Sequence, residues 1–135
     1  DQGNALCHPT ALIRREVYQT VGLYDPRLAQ VPDLDQWIRV CMRYDIHVLP
    51  EPLTAFRIRS HQQNASAARP EVVRRDAWER ACTLRHYLQL PPAQLLQIFP
   101  EFAAGHPASL TEQLARHALG LGTPFHQRFA LDAWF

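Results

Sequence analysis

Apolar positions recur with a helical period over much of the chain and contract into short runs near its start and middle. Residues 4–13 (NALCHPTALI) form one such run, bounded by Gly3 and Arg14-Arg15, and predict a strand or strand pair with Pro9 at an edge or bend. Residues 15–21 predict a short helix closed by Gly22, and Tyr24-Asp25-Pro26 predicts a turn. In residues 31–40 (VPDLDQWIRV) the period is plain. Leu34, Trp37, Ile38 and Cys41 fall on one face of a helix that runs to about Tyr44, with Asp33 as its N-cap. Asp35 and Arg39 stand one turn apart on the other side. Residues 46–49 and 53–58 are strand candidates separated by Pro50-Glu51-Pro52, and residues 59–69 predict a polar loop.

The pattern changes at Pro70, which suits a first helical position with Glu71 behind it. Val73, Ala77, Ala81, Leu84 and Leu88 predict an apolar stripe that lasts until Pro91-Pro92. Residues 93–99 predict a short helix stopped by Pro100. Ser109-Leu110-Thr111-Glu112 is a capping box opening a helix to Gly120, and residues 124–135 predict another. The chain therefore divides into an α/β part, residues 1–68, and a helical part, residues 69–135, helix-rich as a whole.

Composition narrows the classes. At 135 residues, 47% hydrophobic and 20% charged, the chain has the balance of a globular protein. A net charge of +1 and isolated pairs Arg14-Arg15 and Arg74-Arg75 argue against nucleic-acid binding. Every basic residue other than histidine is arginine. Cys7, Cys41 and Cys82 are odd in number and far apart, which argues against structural zinc or a disulfide framework and favours a reducing compartment. No apolar run reaches the roughly 18 residues that a membrane helix needs. The chain carries no signal-peptide pattern. It begins in a loop pattern and stops in a helical one, so a piece of a larger protein is expected. Asn64-Ala65-Ser66 matches a glycosylation sequon, for which no secretory pattern speaks.

Four blocks in order carry a resemblance. They are Gly3-Asn4 through His8-Pro9-Thr10 to Arg14-Arg15; Val21-Gly22-Leu23-Tyr24-Asp25 through Leu28; Asp33-Leu34-Asp35-Gln36-Trp37-Ile38-Arg39; and Pro52-Leu53 through Phe56-Arg57 to Asn64 and Ser66. Together, over residues 3–66, they resemble the C-terminal half of family 2 glycosyltransferases, inverting enzymes with the Rossmann-like A-type fold. The resemblance implies transfer of a sugar from a nucleotide-sugar donor to a hydroxyl of a glycan or lipid-linked acceptor, in bacterial cell-surface polysaccharide synthesis. It makes Asp33 the catalytic base, since a poor hydroxyl nucleophile must lose its proton as the bond forms. It puts Asp35, Trp37, Arg57, Arg59 and His61 on the donor or acceptor side. It implies a divalent metal, Mg or Mn, in the full-length enzyme, with no metal ligand assigned here and none bound to this piece. The place implied is cytoplasmic, at the inner face of a membrane. Pro32 and Arg59 depart from the pattern, standing where relatives carry an acidic residue and a histidine. The nucleotide-binding half has no counterpart, so the chain alone is expected to be inactive and, with apolar surface exposed, to form homo-oligomers.

The residues read without the resemblance leave a second possibility. Asp33 serves as a helix cap, Asp35 pairs with Arg39 and Trp37 packs. Residues 69–135 are then the working part, a non-enzymatic helical interaction module whose amphipathic helices bind a partner or a membrane surface.

Overall fold

Prolines and capping side chains set most of the helix starts. In the computed structural model the described residues are 4, 6–55, 57, 69–102 and 108–135. Among them are six α-helices: α1 Arg15–Val21, α2 Pro32–Cys41, α3 Pro70–Leu84, α4 Pro92–Ile98, α5 Leu110–Gly120 and α6 Pro124–Trp134. Turns of 3-10 helix occur at His8–Thr10 and Arg85–Gln89. Proline opens α2, α3, α4 and α6, where its fixed φ suits the first turn and its missing N–H goes unmissed. Ser109 caps α5 by accepting from the Glu112 amide at 3.1 Å, as the capping box predicts. Gly22 ends α1 at φ 84°, a left-handed conformation that favours glycine.

The described residues contain no β-strand, so the expected α/β fold with a Rossmann-like core is overturned. Residues 7–14 hold a 3-10 turn instead of a strand, with Pro9 inside it. Residues 45–49 and 52–55 are irregular and exposed, Ile46, Val48 and Leu53 included. Apolar, β-branched composition favours extension, but a strand exists only where a neighbouring strand completes its ladder. Among the described residues no such neighbour is present.

The chain divides into two compact units, Asp1–Val73 and Arg74–Phe135. In the first, Val31, Trp37 and Val40 are the buried apolar side chains of the α2 region. In the second, α5 and α6 pack on each other as an antiparallel hairpin joined by a short turn that includes Gly122 at φ 72°. Leu114, Ala115, Ala118, Phe129 and Ala130 are buried, and the three alanines let the helices approach closely. Phe99 stacks on Phe102 at 4.9 Å, and His117 of α5 meets both rings edge-on. The segment after α4 is thereby pinned to α5.

The buried face of α3 differs from the predicted stripe. Ala81 of that stripe is buried, but Val73 and Leu88 are exposed, and Val72, Glu79 and Thr83 are buried as well. Glu79 is 0% exposed and pairs with Arg75 at 2.6 Å. Its neighbour one turn on, Thr83, has a buried hydroxyl without a hydrogen-bond partner. The inward row thus carries charge, which an apolar-periodicity argument places on the outside.

Removing the Phe129 ring is expected to cost about 3–5 kcal/mol, because a fully buried aromatic leaves a cavity that the alanine-lined interface cannot close. The check is hydrogen exchange of the α5 and α6 amides in Phe129→Ala, which should speed up together in both helices.

Candidate functional site

The start of α2 is where the sequence concentrates candidate chemistry. Val31 is the N-cap, with no side-chain cap bond, and Pro32 is the first helical residue. Asp33 therefore lies inside the first turn and is not the cap. Its carboxylate accepts from the Asn4 side-chain amide at 2.7 Å and from the Leu34 backbone N–H at 2.9 Å. The Leu34 bond and its place at the positive end of the helix suit an acid in a first helical turn, and the Asn4 bond ties residue 4 to the start of α2.

Asp35 is only 6% exposed and points inward. Its partner is the expected one: Arg39 donates Nε at 2.9 Å and a terminal guanidinium nitrogen at 2.8 Å. The pair lies on the buried side of α2, not on the solvent side, while Cys41, assigned to the apolar face, is exposed.

Arg39 does more than neutralise Asp35. It donates to the carbonyl oxygen of Val21, to that of Leu23 at 3.0 Å and to Gln36 Oε1 at 2.7 Å. Gln36, fully buried, donates its own Nε2 to the carbonyl of Gly22 at 3.2 Å. Three successive carbonyls at the end of α1 are thus taken up by two side chains of α2. A cation there also meets the negative end of the α1 dipole. At Gly22 a Cβ would lie 3.5 Å from the Arg39 guanidinium, ordinary contact, so its positive φ is what favours glycine.

Trp37 is buried, and its ring lies 6.2 Å from that of His8. Its indole N–H has no hydrogen-bond partner. His8 stacks edge-on against Tyr24 at 5.3 Å, and its Nδ1 lies 3.1 Å from the Tyr24 hydroxyl. Burial, the neighbouring Tyr18 and the negative charge of Asp33 raise the Tyr24 hydroxyl pKa well above its ordinary value. These rings form a packed aromatic shelf under α2, which places Trp37 in a packing role.

Of the other predicted site residues, Arg57 is an exposed side chain in an irregular segment. Arg59 and His61 lie outside the described residues, as does the 64–66 sequon. No cluster of three His, Cys, Asp or Glu side chains able to hold a metal ion occurs among the described residues. Asp33 and Asp35 do not fit a divalent cation either, since Asp35 is committed to Arg39. Sequence reasoning found the Asp35–Arg39 pair but missed Gln36 and the carbonyls it serves. The signal available was a glycine stop, Gly22, followed by a helix with adjacent polar residues, Asp35 and Gln36, off its apolar stripe.

No family model, no curated protein and no solved structure matches the chain. The reading of residues 1–68 as part of a family 2 glycosyltransferase is overturned by the architecture of the described residues, which is helical and holds none of the strands that an A-type fold requires. With it go the transferase, nucleotide-sugar and polysaccharide-synthesis assignments that rested on that resemblance.

The two acids of α2 should separate on mutation. Arg39→Met leaves Asp35 buried without its counter-charge and is expected to destabilise the first unit by about 3–5 kcal/mol. Hydrogen exchange of the α2 amides measures this. Asp33→Asn keeps the shape and loses a part-exposed charge, and the same measurement is expected to move by less than about 1 kcal/mol.

Proposed function

We propose that this chain is a non-enzymatic helical interaction module that works through the second unit, and that its first partner is another copy of itself. The observation that carries the reading is α6. Its inner face, His126, Phe129 and Ala130, is buried in the hairpin. Its outer face still presents Leu131, 51% exposed, and Trp134, 41% exposed. A two-helix hairpin needs one apolar face per helix, and a second face is more than its own packing uses.

The charges on that outer face favour self-association. Arg128 and Asp132 stand one turn apart around Leu131, 3.8 Å from each other. In a two-fold contact residue i of one copy meets residue j of the other and j meets i, with residues at the axis meeting their own equivalents. Antiparallel α6 helices would bring each Arg128 towards the partner's Asp132, which already holds Arg85 of its own chain at 2.7 Å, with Leu131 and Trp134 between them. A face with both signs one turn apart is suited to such self-complementarity.

No helix among the described residues is long and apolar enough to cross a membrane. Cys7, Cys41 and Cys82 are free, which fits a reducing compartment and supports a place in the cytoplasm.

Sedimentation of the 135-residue chain tests the reading. The unaltered protein is expected to associate. Leu131→Glu with Trp134→Glu is expected to weaken association at least tenfold, about 1.4 kcal/mol, with helix content unchanged. A one-chain mass across the micromolar range for the unaltered protein overturns the proposal.

A further inference from the structure

We propose that His126 is an acid-operated latch: protonation of its imidazole releases the first turn of α6 from α5. His126 is 4% exposed and occupies the third position of α6. The N-cap Thr123 accepts from the His126 backbone N–H at 3.4 Å, and its hydroxyl lies 2.8 Å from His126 Nδ1. Both bonds are satisfied together when Nδ1 is unprotonated: the hydroxyl donates to the ring and accepts from the backbone. A proton on Nδ1 reverses the first bond and leaves the hydroxyl hydrogen needing another acceptor.

Everything around the ring disfavours the added charge. It would arise at the positive end of a helix, where a cation is repelled. His117 of α5 and Arg80 of α3 contribute further positive charge at the ring. Phe125, whose ring centroid is 4.2 Å from that of His126, has the Arg80 guanidinium 5.7 Å from its centroid.

Among the described residues of the second unit, each acid already stands against a basic side chain of its own. The acids of residues 74–135 are Asp76, Glu79, Glu101, Glu112 and Asp132. On α3, Asp76 holds Arg80 at 2.7 Å and Glu79 holds Arg75. On α5, Glu112 holds Arg116 at 2.7 Å, and Glu101 lies 3.5 Å from His117. Asp132 of α6 holds Arg85 of the adjoining 3-10 turn at 2.7 Å and lies near Arg128. The same elements also carry His86 and Tyr87 on that turn and Glu71, Arg74 and Cys82 on α3. Burial first, and then the positive charges around the ring, lower its pKa.

The sign follows by linkage. The folded ring is neutral where an unfolded histidine already takes up a proton, so the unfolded state binds more protons. The stabilisation is complete above the ordinary histidine range and falls as pH drops through it, near about 6.5.

The experiment follows the His126 ring by NMR and the α5 and α6 amides by hydrogen exchange, between pH 8 and 5, with exchange corrected for its intrinsic pH dependence. In the unaltered chain, hairpin opening should rise by up to about tenfold per pH unit below that range, the slope of one linked proton. In His126→Gln, whose amide suits the same cap position, opening should be flat. Arg80→Gln leaves the cap untouched; the His126 titration should move to higher pH, and the total rise in opening on acidification should shrink. The proposal is overturned if His126→Gln opens on acidification as the unaltered chain does. It is equally overturned if His126 takes up its proton with α6 protection unchanged, or if Arg80→Gln changes neither the titration midpoint nor the size of the rise in opening.

Discussion

The two carboxylates drawn most deeply into this protein, Asp35 and Glu79, find their cations one helical turn away, and much of the structure follows from how that is met. Asp35 and Arg39, Arg75 and Glu79, Asp76 and Arg80, Glu112 and Arg116, and Arg128 and Asp132 are all pairs four residues apart. The exposed ones contribute little to stability. In α2 the pair also fixes how the helix sits, since Arg39 holds the carbonyls of Val21 and Leu23 and rolling α2 would break those bonds. The cation in each pair is arginine, whose planar fork serves several acceptors at once. Arg39 uses that capacity fully, reaching a carboxylate, a side-chain amide and two carbonyls of another helix.

This constraint explains which parts of the fold were legible in the sequence. The bounds of α1 and α5, and the start of α6, followed from glycine, proline and capping residues, which act locally and need no tertiary partner. The inner faces of α2 and α3 were misread because charged residues were placed outside by rule. Asp35, Gln36 and Glu79 go inside with their partners, so the true faces are rotated from the apolar stripes. The strands failed for a related reason. A run such as residues 46–49 can record a preference for extension but cannot supply the neighbour that satisfies it.

The candidate site was partly legible. The Asp35–Arg39 spacing was read correctly as a pair, but its function as a clamp on the end of α1 depended on Gln36 and on three carbonyls that no pattern of side chains reveals. Asp33 attracted a catalytic reading through the blocks around it. In the structure it makes the bonds of a first-turn acid, and Trp37 beside it packs on His8. Chemistry that looked concentrated at one point of the sequence resolves into a helix start, an ion pair and an aromatic shelf.

The arginine-only pairing also fixes where the chain can be cut. Trypsin cleaves after arginine, and here many of its possible sites lie in helices with the side chain tied to an acid. To be cleaved, such a site must lose its ion pair and its helical backbone together, so digestion proceeds only through open forms. The same residues that hold the helices in register therefore make a built-in reporter of local opening, with Arg39 marking the first unit and Arg80, Arg116 and Arg128 the second.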